Sequence, residues 1–176
     1  MRKIVYWDSS AFLALLLAES THGPGVLEAL RSQAGAFDRG EITLASSTLA
    51  ILEVLSADLP DAAKERFEGM LRRNNMLPVA ANETVMRAAA ELRRHVYGKD
   101  RNGAGEPYVL SPPDSIHVAS AMLIESDCLV TLDSANKPKT KEMAMTVVAR
   151  HYPVPGMHSV PIERPSLGLP GTSLLP

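Results

Sequence analysis

A chain of 176 residues and 19.0 kDa holds one sizeable core with a surplus for a tail, and falls short of a second full core. Hydrophobic residues at 45% and charged residues at 22% are ordinary for a soluble globular protein and argue against wholesale disorder or a membrane protein. A formal charge of -2 leaves any hold on nucleic acid to a local basic patch, and the single cysteine, Cys128, excludes an internal disulfide and a Cys-based zinc site, as suits a reducing cytoplasm.

Arg2 and Lys3 precede an apolar stretch with the outline of an export signal, but Asp8 interrupts it and no A-x-A pattern follows Glu19. Retention in the cytoplasm is therefore expected. Residues 4–7 read as a strand that stops at Asp8, and residues 11–18 as a helix. A helix at 26–32, a strand at 42–44 and a helix opened by Ser47 or Thr48 and running to about Ser56 follow. Residues 61–73 and 83–97 read as amphipathic helices flanking a short strand at 76–79. Residues 98–105 are a glycine-rich loop, and Ser111-Pro-Pro-Asp114 opens a helix reaching about Glu125. Residues 128–132 and 146–148 read as the last strands. Strands alternating with helices, without hairpin signals, predict a three-layer α/β/α sandwich around a central parallel sheet. Six of the 13 prolines, Pro153 to Pro176, fall in the last 26 residues. The chain thus divides into a domain at 1–150 and a proline-rich tail at 151–176 that either wraps the domain or stays disordered.

Charge is sparse inside the apolar stretches. Four windows totalling 58 positions hold one formal charge each, and all four are acids: Asp8, Glu53, Asp114 and Asp133. An isolated carboxylate in a buried segment is costly unless paired, protonated or bound to a cation. Asp8 and Asp133 end predicted strands, the edge where open parallel sheets place their sites. Asp114 sits in the first turn of a helix, and Glu53 lies in a helix apolar nearly all round. Local readings exist for three of them: Asp8 as a helix cap, Asp114 in a capping box with Ser111, and Asp133 as a turn residue. Glu53 has no such role. One shared site for a hard divalent cation, Mg2+ or Mn2+, accounts for all four together.

These residues resemble the PIN-domain ribonucleases, in particular the VapC-like toxins of toxin-antitoxin systems, over residues 4–148. The motifs are Val5-Tyr6-Trp7-Asp8-Ser9-Ser10-Ala11, residues 47–57 around Glu53, Asp114-Ser115-Ile116-His117-Val118-Ala119-Ser120-Ala121, and Leu129-Val130-Thr131-Leu132-Asp133. The resemblance implies a metal-dependent endoribonuclease in which Asp8, Glu53, Asp114 and Asp133 hold Mg2+ or Mn2+, with Ser10 and Thr131 as hydroxyl neighbours. It further implies a homodimer silenced by a cognate antitoxin protein, whose inserted Arg or Lys replaces the cation's charge. Phe12, Leu16 and Leu27 are expected to offer that partner an apolar groove. The glycine-rich loop and the tail look like additions to a minimal toxin domain, which keeps a processing nuclease without an antitoxin open.

His117 follows Asp114 by one turn and either supports the site or packs beside a carboxylate. Lys137, Lys139 and Lys141 follow Asp133 closely and are candidates for holding an RNA backbone. The nine basic residues of 64–101 fit solvated helix faces with Glu-Arg pairs equally well. A non-catalytic PIN-like RNA- or protein-binding module is the rival reading. Phosphoryl-transfer folds fit less well, since Ser10 stands where a dehalogenase-type phosphatase needs its second Asp, and residues 79–81 lack a receiver's acid.

Overall fold

The computed structural model describes residues 2–19, 21–23, 25–168 and 170. At its centre is strand β1 (Lys3–Trp7), whose alternating side chains sort the molecule into layers. Val5 and Trp7 enter a core shared with α1 (Ser9–Leu16), α2 (Val26–Asp38) and α4 (Asp61–Leu71). Tyr6 enters a second core, against α5 (Glu83–Val96) and α6 (Pro112–Leu123). Strands β2 (Ile42–Ser47), β3 (Met76–Val79), β5 (Cys128–Val130) and β7 (Ile162–Glu163) complete a sheet of order β3-β2-β1-β5-β7, with every pair parallel among the described residues. Helices cover both faces, so the fold is the α/β/α sandwich that the alternation of elements implies.

Strand order explains where a site forms. From β1 the chain steps outward through β2 and β3, then returns to the opposite side of β1 to lay down β5 and β7. The reversal falls between β1 and β5, and at such a switch point the loops beyond the strand ends diverge and leave a crevice. Asp8 and the segment 131–133 leave the sheet there. The short helix α3 (Leu49–Leu55) follows β2 on the same edge.

Three expectations need correction or completion. Residues 146–148 are not a strand: Met145–Val148 is one helical turn, α7. Asp133 bends the chain there, its Oδ2 accepting from the Met145 N–H at 2.9 Å. Val147 and Val148 are β-branched but serve burial, which a single helical turn also provides. The strand beside β5 is β7 instead. Phe12 does not line a surface groove: it is fully buried, edge-on to Trp7 and to Phe67 with ring centroids 5.2 Å apart in each pair. Leu16 and Leu27 are only partly buried against the same core.

The segment after Arg150 carries part of the fold. Val154, Val160 and Ile162 are buried in the second core, and the Leu129 and Thr131 N–H groups donate to the carbonyls of Pro161 and Glu163 at 2.8 and 3.0 Å. Beyond β7 the chain crosses to the other face. There Arg164 donates to the His22 carbonyl at 2.7 Å, and Gln33 Nε2 to that of Pro170 at 2.9 Å. Pro176 lies outside the described residues.

A second element stands apart from the main sheet. Strands β4 (Val109–Leu110) and β6 (Glu142–Met143) pair in parallel and bring the chain after the glycine-rich loop against the chain after Asp133.

Candidate active site

Asp8 is the N-cap of α1, and only 2% of it is exposed. Its Oδ1 accepts from the Ala11 N–H at 3.0 Å and the Ser10 hydroxyl at 2.7 Å, while Oδ2 accepts from the Thr131 hydroxyl at 2.8 Å. Burial raises its pKa above the ordinary carboxylate value, although the charge of His117 and these hydrogen bonds pull the other way. Three donors use three of the roughly four acceptor positions of a carboxylate, which leaves room for a cation.

Ser10 and Thr131 therefore lock Asp8 in one orientation. Each also fixes the segment after β5: the Leu132 N–H donates to Ser10 Oγ at 3.0 Å, and the Asp133 N–H to Thr131 Oγ1 at 2.9 Å. The two hydroxyl side chains thus tie the end of β1 to the end of β5.

Asp114 meets the helix cap at Ser111, but through the Ser111 hydroxyl and not through its backbone N–H, so only half of the expected capping box forms. Ser111, the N-cap of α6, accepts from the Asp114 N–H at 3.2 Å and donates its hydroxyl to Oδ2 at 2.5 Å. Burial pushes the Asp114 carboxyl up to about 6, and the neighbouring charges of Asp133 and Asp8 push in the same direction. Ser111 and Lys137 offset this only in part. Asp133 accepts from α7 as described, and its Oδ1 lies 3.6 Å from Lys137 Nζ. Asp8 and Asp133 thus each accept a backbone N–H at a helix start, Asp114 accepts the Ser111 hydroxyl at another, and Asp114 feels the charge of the other two.

Glu53 stands differently. Its Oε2 lies 2.8 Å from His117 Nε2, and the opposite ring nitrogen, Nδ1, lies 3.0 Å from the Tyr6 hydroxyl. A carboxylate cannot donate, so Nε2 carries a proton directed at Glu53. The Tyr6 oxygen in turn accepts from the Ser47 N–H at 2.8 Å. Burial alone would raise the Glu53 carboxyl, but the hydrogen bond and charge of His117, with Ser9 adding to them, hold it below the usual range. His117 and Tyr6 are themselves almost wholly buried, so this relay runs through the second core.

Of the expected residues, Asp8, Asp114, Asp133, Ser10 and Thr131 lie together at the switch point, and Glu53 joins them through His117. Among the described residues, no three His, Cys, Asp or Glu side chains form a ready-made metal cage. The donor set nonetheless fits Mg2+ or Mn2+: it consists of carboxylate oxygens whose mutual repulsion a divalent cation offsets. Of the three lysines, Lys137 pairs with Glu142 at 3.1 Å as well as with Asp133, and Lys141 pairs with Glu106 at 2.7 Å. Lys139 is exposed and makes no ion pair among the described residues. Tyr6 and Ser47 escape sequence reasoning, because a tyrosine in an apolar strand reads as core. The signal for Tyr6 is its place out of phase with Val5 and Trp7, which faces it toward α6.

A family model for the PIN domain matches residues 5–137. The chain belongs to the PIN domain family. Among solved structures this PIN domain is similar to a chain in the crystal structure of VapBC2 from Rickettsia felis bound to a DNA fragment from their promoter, at 14% identity and a TM-score of 0.53, over 92% of this chain and 98% of that one. It is also similar to a chain of a toxin-antitoxin complex from Klebsiella pneumoniae, at 16% identity and a TM-score of 0.48, over 80% of this chain and 97% of that one. Nothing among the curated proteins matches it. Among the described residues, no helix of this PIN domain is long and apolar enough to cross a membrane.

Proposed function

We propose that the protein is a Mg2+- or Mn2+-dependent endoribonuclease and the toxin of a toxin-antitoxin pair. The observation that carries the reading is the meeting of Asp8, Asp114 and Asp133 at the switch point of a PIN-family sheet, close enough for Asp8 and Asp133 to help hold Asp114 up near 6. Asp8, Asp114 and Asp133 would hold the cation, with Glu53 beside them, and when bound it supplies Lewis-acid stabilisation of phosphate oxygens and makes water more acidic. The chain's own groups do the rest. Ser10 and Thr131 keep both Asp8 oxygens aimed, His117 keeps Glu53 ionised and in place, and Lys137 and Lys139 meet the phosphate backbone.

The deciding experiment offers single-stranded RNA, duplex DNA and a phosphomonoester to the purified protein with Mg2+, with Mn2+ and with excess chelator. Cleavage of RNA confined to the metal-containing samples supports the reading, and full activity in chelator overturns it. The toxin assignment draws on the VapC-like motifs of the sequence and on the likeness to the VapBC2 structure from Rickettsia felis. It requires that the product of an adjacent small gene bind this chain and suppress cleavage. Undiminished activity would place the protein among the processing nucleases. A homodimer is expected, and light scattering that shows only a 19.0 kDa particle at high concentration refutes it.

A further inference from the structure

The stretch 98–110 has no task in the proposed chemistry, yet it folds against residues 136–143, which follow the acidic site. Strand β4 pairs with β6, Lys141 reaches Glu106, and Asn136 Nδ2 donates to Asp100 Oδ2 at 2.6 Å. Between these stretches and the start of α6 lies a cleft of about 490 Å3, within the roughly 300–1,000 Å3 range of small-molecule sites. Pro107, Val109 and Pro112 give it an apolar wall, and Glu106, Lys141 and Glu142 give it charge of both signs.

Two links join this cleft to the acidic site. Ser111 lines the cleft and donates to Asp114. Glu142 lines it and shares Lys137 with Asp133. A polynucleotide whose phosphate lies at the three aspartates thus has a neighbouring nucleotide within reach of the cleft.

We propose that the cleft is a nucleobase subsite, taking a base near the scissile phosphate and favouring bases with an amino group over uracil; the assignment to RNA rests on the nuclease reading above. The apolar wall suits the flat face of a base. Glu106 and Glu142 keep acceptor positions beyond those taken by Lys141, Asn102 and Lys137; these match the amino groups of adenine, cytosine and guanine, whereas uracil offers them one N3–H flanked by two carbonyls that they repel. Lys141 and the Arg93 guanidinium, which also lines the cleft, remain as donors for the ring nitrogens and carbonyls of the accepted bases.

The test measures binding of the four ribonucleoside monophosphates, without metal, by ligand-observed NMR. All four carry the same phosphate, so differences report on the base. The three amino-bearing nucleotides are expected to bind about fivefold to tenfold more tightly than UMP. Thr140→Trp, which fills the cleft from an exposed position, should abolish that binding, and Glu106→Gln should narrow the discrimination. Equal binding of all four, no binding of any, or undiminished binding by a folded Thr140→Trp protein overturns the proposal. A parallel arm sequences the ends left by cleavage of a random RNA pool, where uridine should be depleted at one flanking position and restored by Thr140→Trp. Selective binding without metal-dependent cleavage sinks the nuclease reading and leaves the base cleft standing. Cleavage with even flanks and no nucleotide binding sinks the cleft alone.

Discussion

His117 Nε2 lies 2.8 Å from Glu53 Oε2, so the acid that no helix cap satisfies is held by a buried imidazole instead. The two members of this pair carry different burdens. Glu53→Gln keeps a carbonyl oxygen that accepts from Nε2–H, so it should change stability by less than about 1 kcal/mol. His117→Ala strands both the Tyr6 hydroxyl and the Glu53 carboxylate, and should cost roughly 2–4 kcal/mol. Urea unfolding of the two variants beside single-turnover RNA cleavage checks this. Glu53→Gln is expected to lose cleavage by about 100-fold or more while remaining folded. A Glu53→Gln protein with wild-type rates would leave Glu53 outside the chemistry.

Thr131→Val preserves shape and removes one hydroxyl that serves two acids. Asp8 loses a donor and the Asp133 N–H loses its acceptor, at an expected cost of about 1–3 kcal/mol. Thr131→Ser restores both bonds and should recover most of the stability and the rate. A valine variant as stable as wild type would show that water replaces the hydroxyl without penalty.

Stability of the chain kept in chelator should fall as pH rises from about 4 to above 6. Asp114, held up to about 6, and Asp8, also raised, favour their protonated forms when folded. The native state therefore binds more protons than the unfolded chain across that window, and stability is highest at its acid end. Glu53 has the opposite sign, since its lowered carboxyl stabilises the fold above its unfolded value near 4 and loses that contribution only at lower pH. Asp114→Asn should gain roughly 1–3 kcal/mol at pH 7.5 and flatten the dependence. Urea midpoints at pH 5.5 and 7.5 for both proteins decide it. Divalent metal should stabilise wild type by about 2.7 kcal/mol at 100 times its Kd and stabilise Asp114→Asn much less.

Truncation after Arg150 should cost the site as well as the fold. The Thr131 N–H donates to the Glu163 carbonyl while its hydroxyl holds Asp8, so β7 acts on Asp8 through one residue. Loss of Val154, Val160 and Ile162 also uncovers Leu129 and leaves β5 as an open edge. The truncated chain is expected to be poorly soluble, and whatever remains folded should exchange its Leu129 and Thr131 amides quickly. A soluble, active fragment 1–150 would show that the segment is dispensable.

Strands β1, β2, β3 and β5 are legible in the sequence because short apolar or β-branched runs stop at turn residues or at Asp8. Strand β7 is not, since Ile162 and Glu163 are two residues between Pro161 and Pro165, and prolines read as loop. Val147 and Val148 mislead for the converse reason: local propensity favours a strand, and the bond from Met145 to Asp133 decides otherwise. The acids stand out as lone charges in apolar windows, a signal of cost that needs no structure to read. Their grouping is legible only in part, because the hold of His117 on Glu53 joins residues 64 positions apart. Nothing local in either helix announces it.

The bond between Trp7 and Gln33 gives the molecule an optical handle. The chain has a single tryptophan, its indole N–H ends on Gln33 Oε1 at 2.9 Å, and the same amide reaches Pro170. Light emitted by one residue thus comes from a point where the first strand, the second helix and the C-terminal segment at Pro170 meet. Peeling of that segment would change the polarity around that indole and shift the emission colour, with no dye attached.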